Sequence, residues 1–191
     1  MSRPRAGVDL DGVVYEWEAQ ARLLLSAWWG VSLPESTHYY SIRDGLIERL
    51  GEATGRMADS WLFTDGWRYG LWDRGENVPG AFDALRRLSL IYDIAFVTKR
   101  PRVAIPPTWD WLAFNRFHPT ELIVIPPDSD RGKSTIGADW YVDDSPAVAE
   151  ELSAAGKVIY LFDRPWNRDC QFGVRVSGWD GLLKRVLKGA Q

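Results

Sequence analysis

Five short runs, each nearly all apolar and rich in β-branched or aromatic residues, alternate with helical patterns along this chain. They are "AGVDL" (6–10), "YDIAFVT" (92–98), "ELIVIP" (121–126), "DWYVDD" (139–144) and "KVIYLF" (157–162). Near-continuous apolar character over so few residues is what a strand buried on both faces requires, whereas a half-exposed strand alternates. Between the later runs lie "PGAFDALRRLSL" (79–90), "PPTWDWLAFNRF" (106–117) and "SPAVAEELSAAG" (145–156), the last with Ser145 as N-cap, Pro146 at the first helical position and Gly156 as its stop. Strands and helices in alternation build parallel strands joined by crossovers. The chain is therefore read as α/β, a Rossmann-like, mostly parallel sheet flanked by helices.

One stretch breaks the alternation. From Tyr15 to Val78 no segment reads as a strand; "EAQARLLLSAWWG" (18–30) and "IRDGLIERLGEATG" (42–55) read as two helices, followed by the aromatic, glycine-punctuated "WLFTDGWRYGLWDRGENVPG" (61–80). An insertion of about sixty residues is too long for an ordinary strand-to-helix connection. The expected organisation is a core made of residues 1–14 and 79–191, with residues 15–78 forming a small helical cap inserted after the first strand. A chain of 191 residues, 46% of them hydrophobic, is long enough for one such domain.

The first strand ends in "DLDG". Asp9 and Asp11 are one residue apart and lie on the same side of an extended chain, so two like charges are held together. A bound cation is the usual remedy for that repulsion. In open α/β sheets ligands sit beyond the carboxyl ends of the strands, and there the sequence gathers Asp9, Asp11, Thr98, Asp143 and Asp144, with Lys133 shortly before the last pair. Carboxylates so grouped suit a hard, oxygen-preferring cation, Mg²⁺ first, which keeps waters and shares its remaining positions with a phosphate.

Other metal and redox chemistry is disfavoured. The single cysteine, Cys170, excludes an intramolecular disulfide, and the two histidines, His38 and His118, are far apart in sequence. A formal net charge of -3 gives no general pull toward nucleic acid or an anionic membrane. No apolar run approaches the roughly 20 residues that span a bilayer, and "MSRPRAGVDLDG" runs into a polar site where a signal peptide would have its apolar region. A cytoplasmic setting, no membrane partner and no long nucleic acid are expected; a homodimer is compatible with the sequence.

"DLDGV", "FVTKR", Lys133 and "YVDDSP", in that order, resemble the four motifs of the haloacid dehalogenase superfamily. Within it the chain resembles the 5'(3')-deoxyribonucleotidase group, through "DGVVYEW" leading to Trp17 and through "PGAFDALRRL", "VTKRP", "ADWYVDDSP", "DRPWN" and "RVSGW". The resemblance implies a Mg²⁺-dependent phosphatase acting through an aspartyl-phosphate. It makes Asp9 the nucleophile, Asp11 the acid that protonates the leaving oxygen and then deprotonates water, Thr98 a donor to the phosphoryl group, and Lys133 the balancing charge. Lys99 and Arg131 are neighbouring cations able to take the part of Lys133. Asp9, Asp11, Asp143 and Asp144 are the expected metal site. A halide leaving group would need no acid at Asp11, which speaks against a dehalogenase.

The expected substrates are small (deoxy)nucleoside monophosphates. Other small phosphate esters, nucleic-acid 3' ends and a non-catalytic phosphate-binding module stay open as alternatives. "TKRPR" (98–102) reads equally as a phosphate-binding cluster, with Lys99 and Arg100 on the substrate, or as a solvated loop. Of the eleven tryptophans, Trp28, Trp109, Trp111 and Trp140 fall in helix or strand patterns and are expected in packing. Trp17, Trp67, Tyr69 and Trp72 flank glycines in the inserted segment, where they form either an aromatic slot for a planar base or the segment's own core. The resemblance makes Trp17 the first candidate for the slot.

Overall fold

The structure is a computed structural model and describes residues 3–35 and 41–188; His38 lies outside the described residues. Six strands form one sheet: β1 (Arg5–Val8), β2 (Asp93–Thr98), β3 (Glu121–Val124), β4 (Trp140–Asp143), β5 (Val158–Phe162) and β6 (Val174–Val176). Their order is β3-β2-β1-β4-β5-β6, and every pairing is parallel. The five apolar runs supply β1 to β5. The short edge strand β6, which overlaps the start of "RVSGW", has only three residues and carries no pattern that distinguishes it from a loop.

Alternation along the strands sorts side chains to two faces. Val8, Phe96, Val142 and Phe162 pack on one face beneath Leu85, Trp111 and Leu182, from α4 (Ala81–Leu88), α5 (Ile105–Phe114) and α7 (Trp179–Lys188). Val97, Tyr141 and Leu161 pack on the other with Val148 and Leu152 of α6 (Pro146–Ala154). The expected cap of α6 is present: Ser145 accepts a hydrogen bond from the Val148 backbone N–H, and Pro146 occupies the first turn, where its missing donor costs nothing.

The chain between β1 and α4 contains α1 (Trp17–Trp29), α2 (Ser41–Leu50) and α3 (Glu52–Thr64). The sequence pattern joined α2 to the start of α3, but Gly51 separates them at a φ of 80°, a conformation costly for any residue with a Cβ. Helix α3 then continues through "WLFT", beyond the two helices that the sequence pattern predicts. This segment packs its own apolar cluster, including Leu25, Leu46, Leu62 and Leu71.

Trp111 and Trp140 are buried as expected, but Trp28 is 55% exposed and Trp109 44% exposed. A helical period alone does not say which face meets the core. Trp28 instead lies against Tyr69, with ring centroids 4.1 Å apart, and near Trp61 at 6.1 Å.

Candidate active site

The strand order reverses direction at β1: β2 and β3 extend to one side, β4 to β6 to the other. At such a switch point the connections leave in opposite directions and open a crevice beyond the strand ends. Asp9, immediately after β1, donates its backbone N–H to Val142 O at 3.0 Å, which sets it beside Asp143 at the end of β4. Lys133 begins the 3-10 turn Lys133–Thr135 that precedes β4. Its buried ammonium lies 2.8 Å from Asp9 Oδ1 and 2.7 Å from Asp143 Oδ2. Lys99 is exposed and Arg131 bonds Thr135, so of the three candidate cations Lys133 sits between the carboxylates.

Asp9, Asp143 and Asp144 are all buried and each offers an oxygen within 4.8 Å of the others'. Asp143 Oδ1 accepts from the Ser145 backbone N–H at 2.9 Å. Asp144 Oδ2 accepts from the Trp166 indole at 3.1 Å. Gly12, at a φ of 76°, lies so close that a Cβ there would overlap the Asp144 carboxylate.

Burial, joined by the neighbouring Asp143 and Asp11 carboxylates, raises Asp9 to about 7 against the pull of Lys133. Burial and the Asp143 and Asp9 charges push Asp144 well above the ordinary carboxylate range. Burial pulls the Lys133 ammonium down, but the Asp143 and Asp9 carboxylates more than offset it, so the lysine is held charged. One ammonium is thus shared by Asp9 and Asp143, with the Asp144 carboxylate crowded beside them. Asp9 Oδ1, although ion-paired, lies off the axis of any hydrogen bond. Three hard oxygen donors with uncompensated charge fit Mg²⁺.

Asp11 departs from the expected metal set. Its carboxylate turns to Arg100, which donates from Nε to Oδ2 at 2.9 Å and from Nη2 to Oδ1 at 2.6 Å. Arg100 in turn is completely buried and therefore does not serve as the open substrate contact read from "TKRPR". A planar guanidinium matches a carboxylate edge to edge, and Arg100 meets both Asp11 oxygens in this way. Thr98 is buried, with its hydroxyl 3.5 Å from Asp11 Oδ2, at the outer limit of a hydrogen bond.

Above the carboxylates opens a cavity of about 810 Å³. Asp9, Asp11, Thr98, Lys99, Lys133, Asp143 and Asp144 all contribute to its wall, as do Trp17 and Trp72. Trp17 stacks on Phe63, with centroids 6.0 Å apart at 22°, and on Trp72 at 6.2 Å and 28°. The buried indole N–H groups of Trp17 and Trp72 have no hydrogen-bond partner. Trp67 is not part of this wall. Its indole donates to Thr64 O at 3.1 Å, and its ring packs on the α1–α3 cluster, because the 3-10 turn Gly66–Tyr69 faces that way.

Wall residues that the sequence did not mark as site candidates include Asp59, Phe63, Arg43 and Trp166. Asp59 and Phe63 are four residues apart on α3 and share a face, a signal available once the helix is continued past Gly55. Asp59 pairs with Arg43 Nε at 2.7 Å. Trp166 lies in the quoted "DRPWN", but nothing local ties it to Asp144.

Residues 3–190 match the protein family described as 5' nucleotidase, deoxy (pyrimidine), cytosolic type C protein. The chain is 28% identical over 114 residues to a candidate nucleotidase of Oceanobacillus iheyensis, a match covering 57% of this chain and 61% of that protein. It is 25% identical over 198 residues to a candidate 5'(3')-deoxyribonucleotidase of Chlorobaculum tepidum, covering 94% of this chain and 88% of that one. Among solved structures, a haloacid dehalogenase-like hydrolase of Streptococcus pneumoniae shares the fold with a TM-score of 0.70 at 12% identity, covering 99% of both chains. A magnesium-bound candidate hydrolase of the same type from Bacillus subtilis does so with a TM-score of 0.66 at 17% identity, covering 97% of this chain and 100% of that one.

Proposed function

The chain belongs to the cytosolic type C 5' nucleotidase family, phosphoric monoester hydrolases of the haloacid dehalogenase type, and from that premise we propose that it hydrolyses small (deoxy)nucleoside monophosphates. The observation that carries the reading is the meeting of Asp9, Asp143, Asp144 and Lys133 under a cavity whose upper wall is aromatic. The carboxylates and lysine suit the phosphoryl end of such a substrate, and the aromatic wall suits a planar base.

Asp9 attacks phosphorus through a carboxylate oxygen. The bond from phosphorus to the ester oxygen breaks, its electron pair stays on the leaving oxygen, and Asp11 supplies the proton that makes it a hydroxyl. Water then attacks the aspartyl-phosphate and gives a proton to Asp11, and the phosphorus–Asp9 bond breaks to release phosphate and restore the carboxylate. Thr98 donates to a phosphoryl oxygen, and Lys133 balances the charge shared by Asp9 and the phosphoryl group. Asp9, Asp143 and Asp144 would hold Mg²⁺, whose charge lets a dianionic ester approach an anionic nucleophile. The Asp11 carboxylate, paired with Arg100, is outside that ligand set. Residues 15–78 act as a cap, and Trp17 with Trp72 forms the slot over the leaving group.

A screen of phosphate release from nucleoside monophosphates and other small esters, with and without Mg²⁺, tests the reading. Mg²⁺-dependent turnover with nucleotides preferred over sugar and aryl phosphates is expected. Equal rates in excess chelator, or no preference for nucleotides, would overturn the corresponding half.

A further inference from the structure

Arg100 is a fully buried charged side chain among the described residues, and the phosphoryl chemistry does not use it. All of its guanidinium contacts are internal. Besides the two bonds to Asp11, Nη1 donates to Thr108 Oγ1 at 2.7 Å and to Trp72 O at 3.4 Å. Thr108, in the first turn of α5, itself donates to Ala104 O at 2.6 Å, just before that helix. The guanidinium carbon lies 4.8 Å from the ring centroid of Tyr15 and 5.0 Å from that of Trp72. The Tyr15 hydroxyl donates to Leu71 O at 2.7 Å and accepts from the Gly75 N–H at 2.8 Å, so that ring is held at its far end as well.

Such a cage is costly for a charge that serves only packing, since an apolar side chain of similar volume would fill the space without desolvating an ion. The arrangement has a directional consequence instead. Arg100 is fully buried among these contacts, and its two-point grip engages both oxygens of Asp11, whose side chain is 25% exposed and lines the cavity. Ion pairing through a rigid fork sets orientation as well as energy.

We propose that Arg100 is the positioning residue for Asp11, gripping both of its carboxylate oxygens and so fixing where that group stands in the cavity wall during the proton transfers. The inference rests on the covalent reading above. Arg100 touches neither phosphate nor metal ligand and acts through Asp11 alone. The hydrolytic half-reaction then depends on Arg100 for every substrate, while the first half-reaction depends on it only where the leaving oxygen needs a proton. With p-nitrophenyl phosphate, whose leaving group departs as a stable anion, the two halves separate.

The experiment is rapid-quench kinetics of Arg100→Gln with p-nitrophenyl phosphate and Mg²⁺, followed by intact-mass measurement. The expected result is a burst of one nitrophenolate per site, then a steady-state rate lowered on the order of 10²-fold, the usual share of positioned proton transfer, with a phosphoryl group accumulating on Asp9. Arg100→Lys, which keeps the charge but not the fork, falls between this variant and the wild type. Thr108→Val keeps Arg100 in place and loosens one anchor. It gives the same split to a smaller degree and carries the test if Arg100→Gln does not fold. Burst and steady state falling in equal proportion in folded variants, or neither falling, would overturn the assignment. Wild-type turnover with no label ever found on Asp9 would instead sink the covalent reading on which it stands.

Discussion

The strand-end site and the helical segment above it are built to different tolerances. Asp9 and Asp143 are fixed by backbone bonds of neighbouring strands, by Lys133 between them and by the Ser145 N–H, all at 2.7 to 3.0 Å. The aromatic wall is held by ring contacts 6.0 to 6.4 Å apart among Trp17, Phe63 and Trp72, and the paired Arg43 is more than half exposed. Directional bonds on a rigid sheet suit a reaction that is the same for every ester. Stacking on helices, which tolerates displacement, suits recognition of whatever carries the phosphate.

The largest break in that comparison comes from the sheet side. Asp9→Asn is expected to lower phosphate release by about 10⁴-fold or more for every ester alike, since removing a nucleophile leaves only binding and electrostatics. A folded Asp9→Asn protein with substantial turnover would remove the reason for the buried cluster. Next, Lys133→Met is expected to cost roughly 10²–10³-fold in kcat, the scale of a lost electrostatic contact to the transition state. Steady-state kinetics on a nucleotide and an aryl phosphate should show the same loss for both.

From the helical side, Trp17→Ala is expected to lose about 1–3 kcal/mol in kcat/KM for nucleotides, the usual worth of a stacked base, and much less for an aryl phosphate. Equal losses on the two substrates would mean that Trp17 supports the segment and does not recognise the substrate.

A pH effect sharpens the strand-end half. Asp9 at about 7, and Asp144 raised well above its ordinary value of 3.8, bind protons in the folded protein that the unfolded chain has released. The folded state then holds more protons between pH 4 and 7, so stability is greatest below that window and falls as pH rises through it. Calorimetry in chelator should show Tm dropping as pH rises across the window, and Mg²⁺ should flatten the drop. A Tm that rises with pH in chelator would show that the carboxylates are not crowded. The smallest effect is expected at Trp28→Ser, whose ring lies half-exposed outside the cavity. Its kcat/KM for nucleotides should stay within about twofold, as for surface changes away from a site, and a larger loss would extend the recognition surface along α1.

The sequence was most legible where one short stretch carries its own instruction. Apolar runs located β1 to β5, and Ser145–Pro146 marked the start of α6. The ends of those strands located Asp9, Thr98, Asp143 and Asp144 because a parallel sheet must deliver its strand ends to one edge. It was least legible in residues 15–78. There Gly51 hid the division between α2 and α3, and α3 continued through residues whose aromatic character matched no helical period.

By itself, then, the sequence determined the α/β alternation, the edge at which the chemistry gathers and the order in which its residues arrive. These follow from periodicity and chain direction, which are local. Only the tertiary structure decided that Asp11 leaves the carboxylate cluster for Arg100, 89 residues away, that Lys133 and not Lys99 sits between Asp9 and Asp143, and that Phe63 replaces Trp67 beside Trp17. A charge takes the partner whose geometry and burial offset its desolvation best, and a ring takes the face its helix turns inward. Both depend on ångström-scale placement of segments that no local pattern brings together.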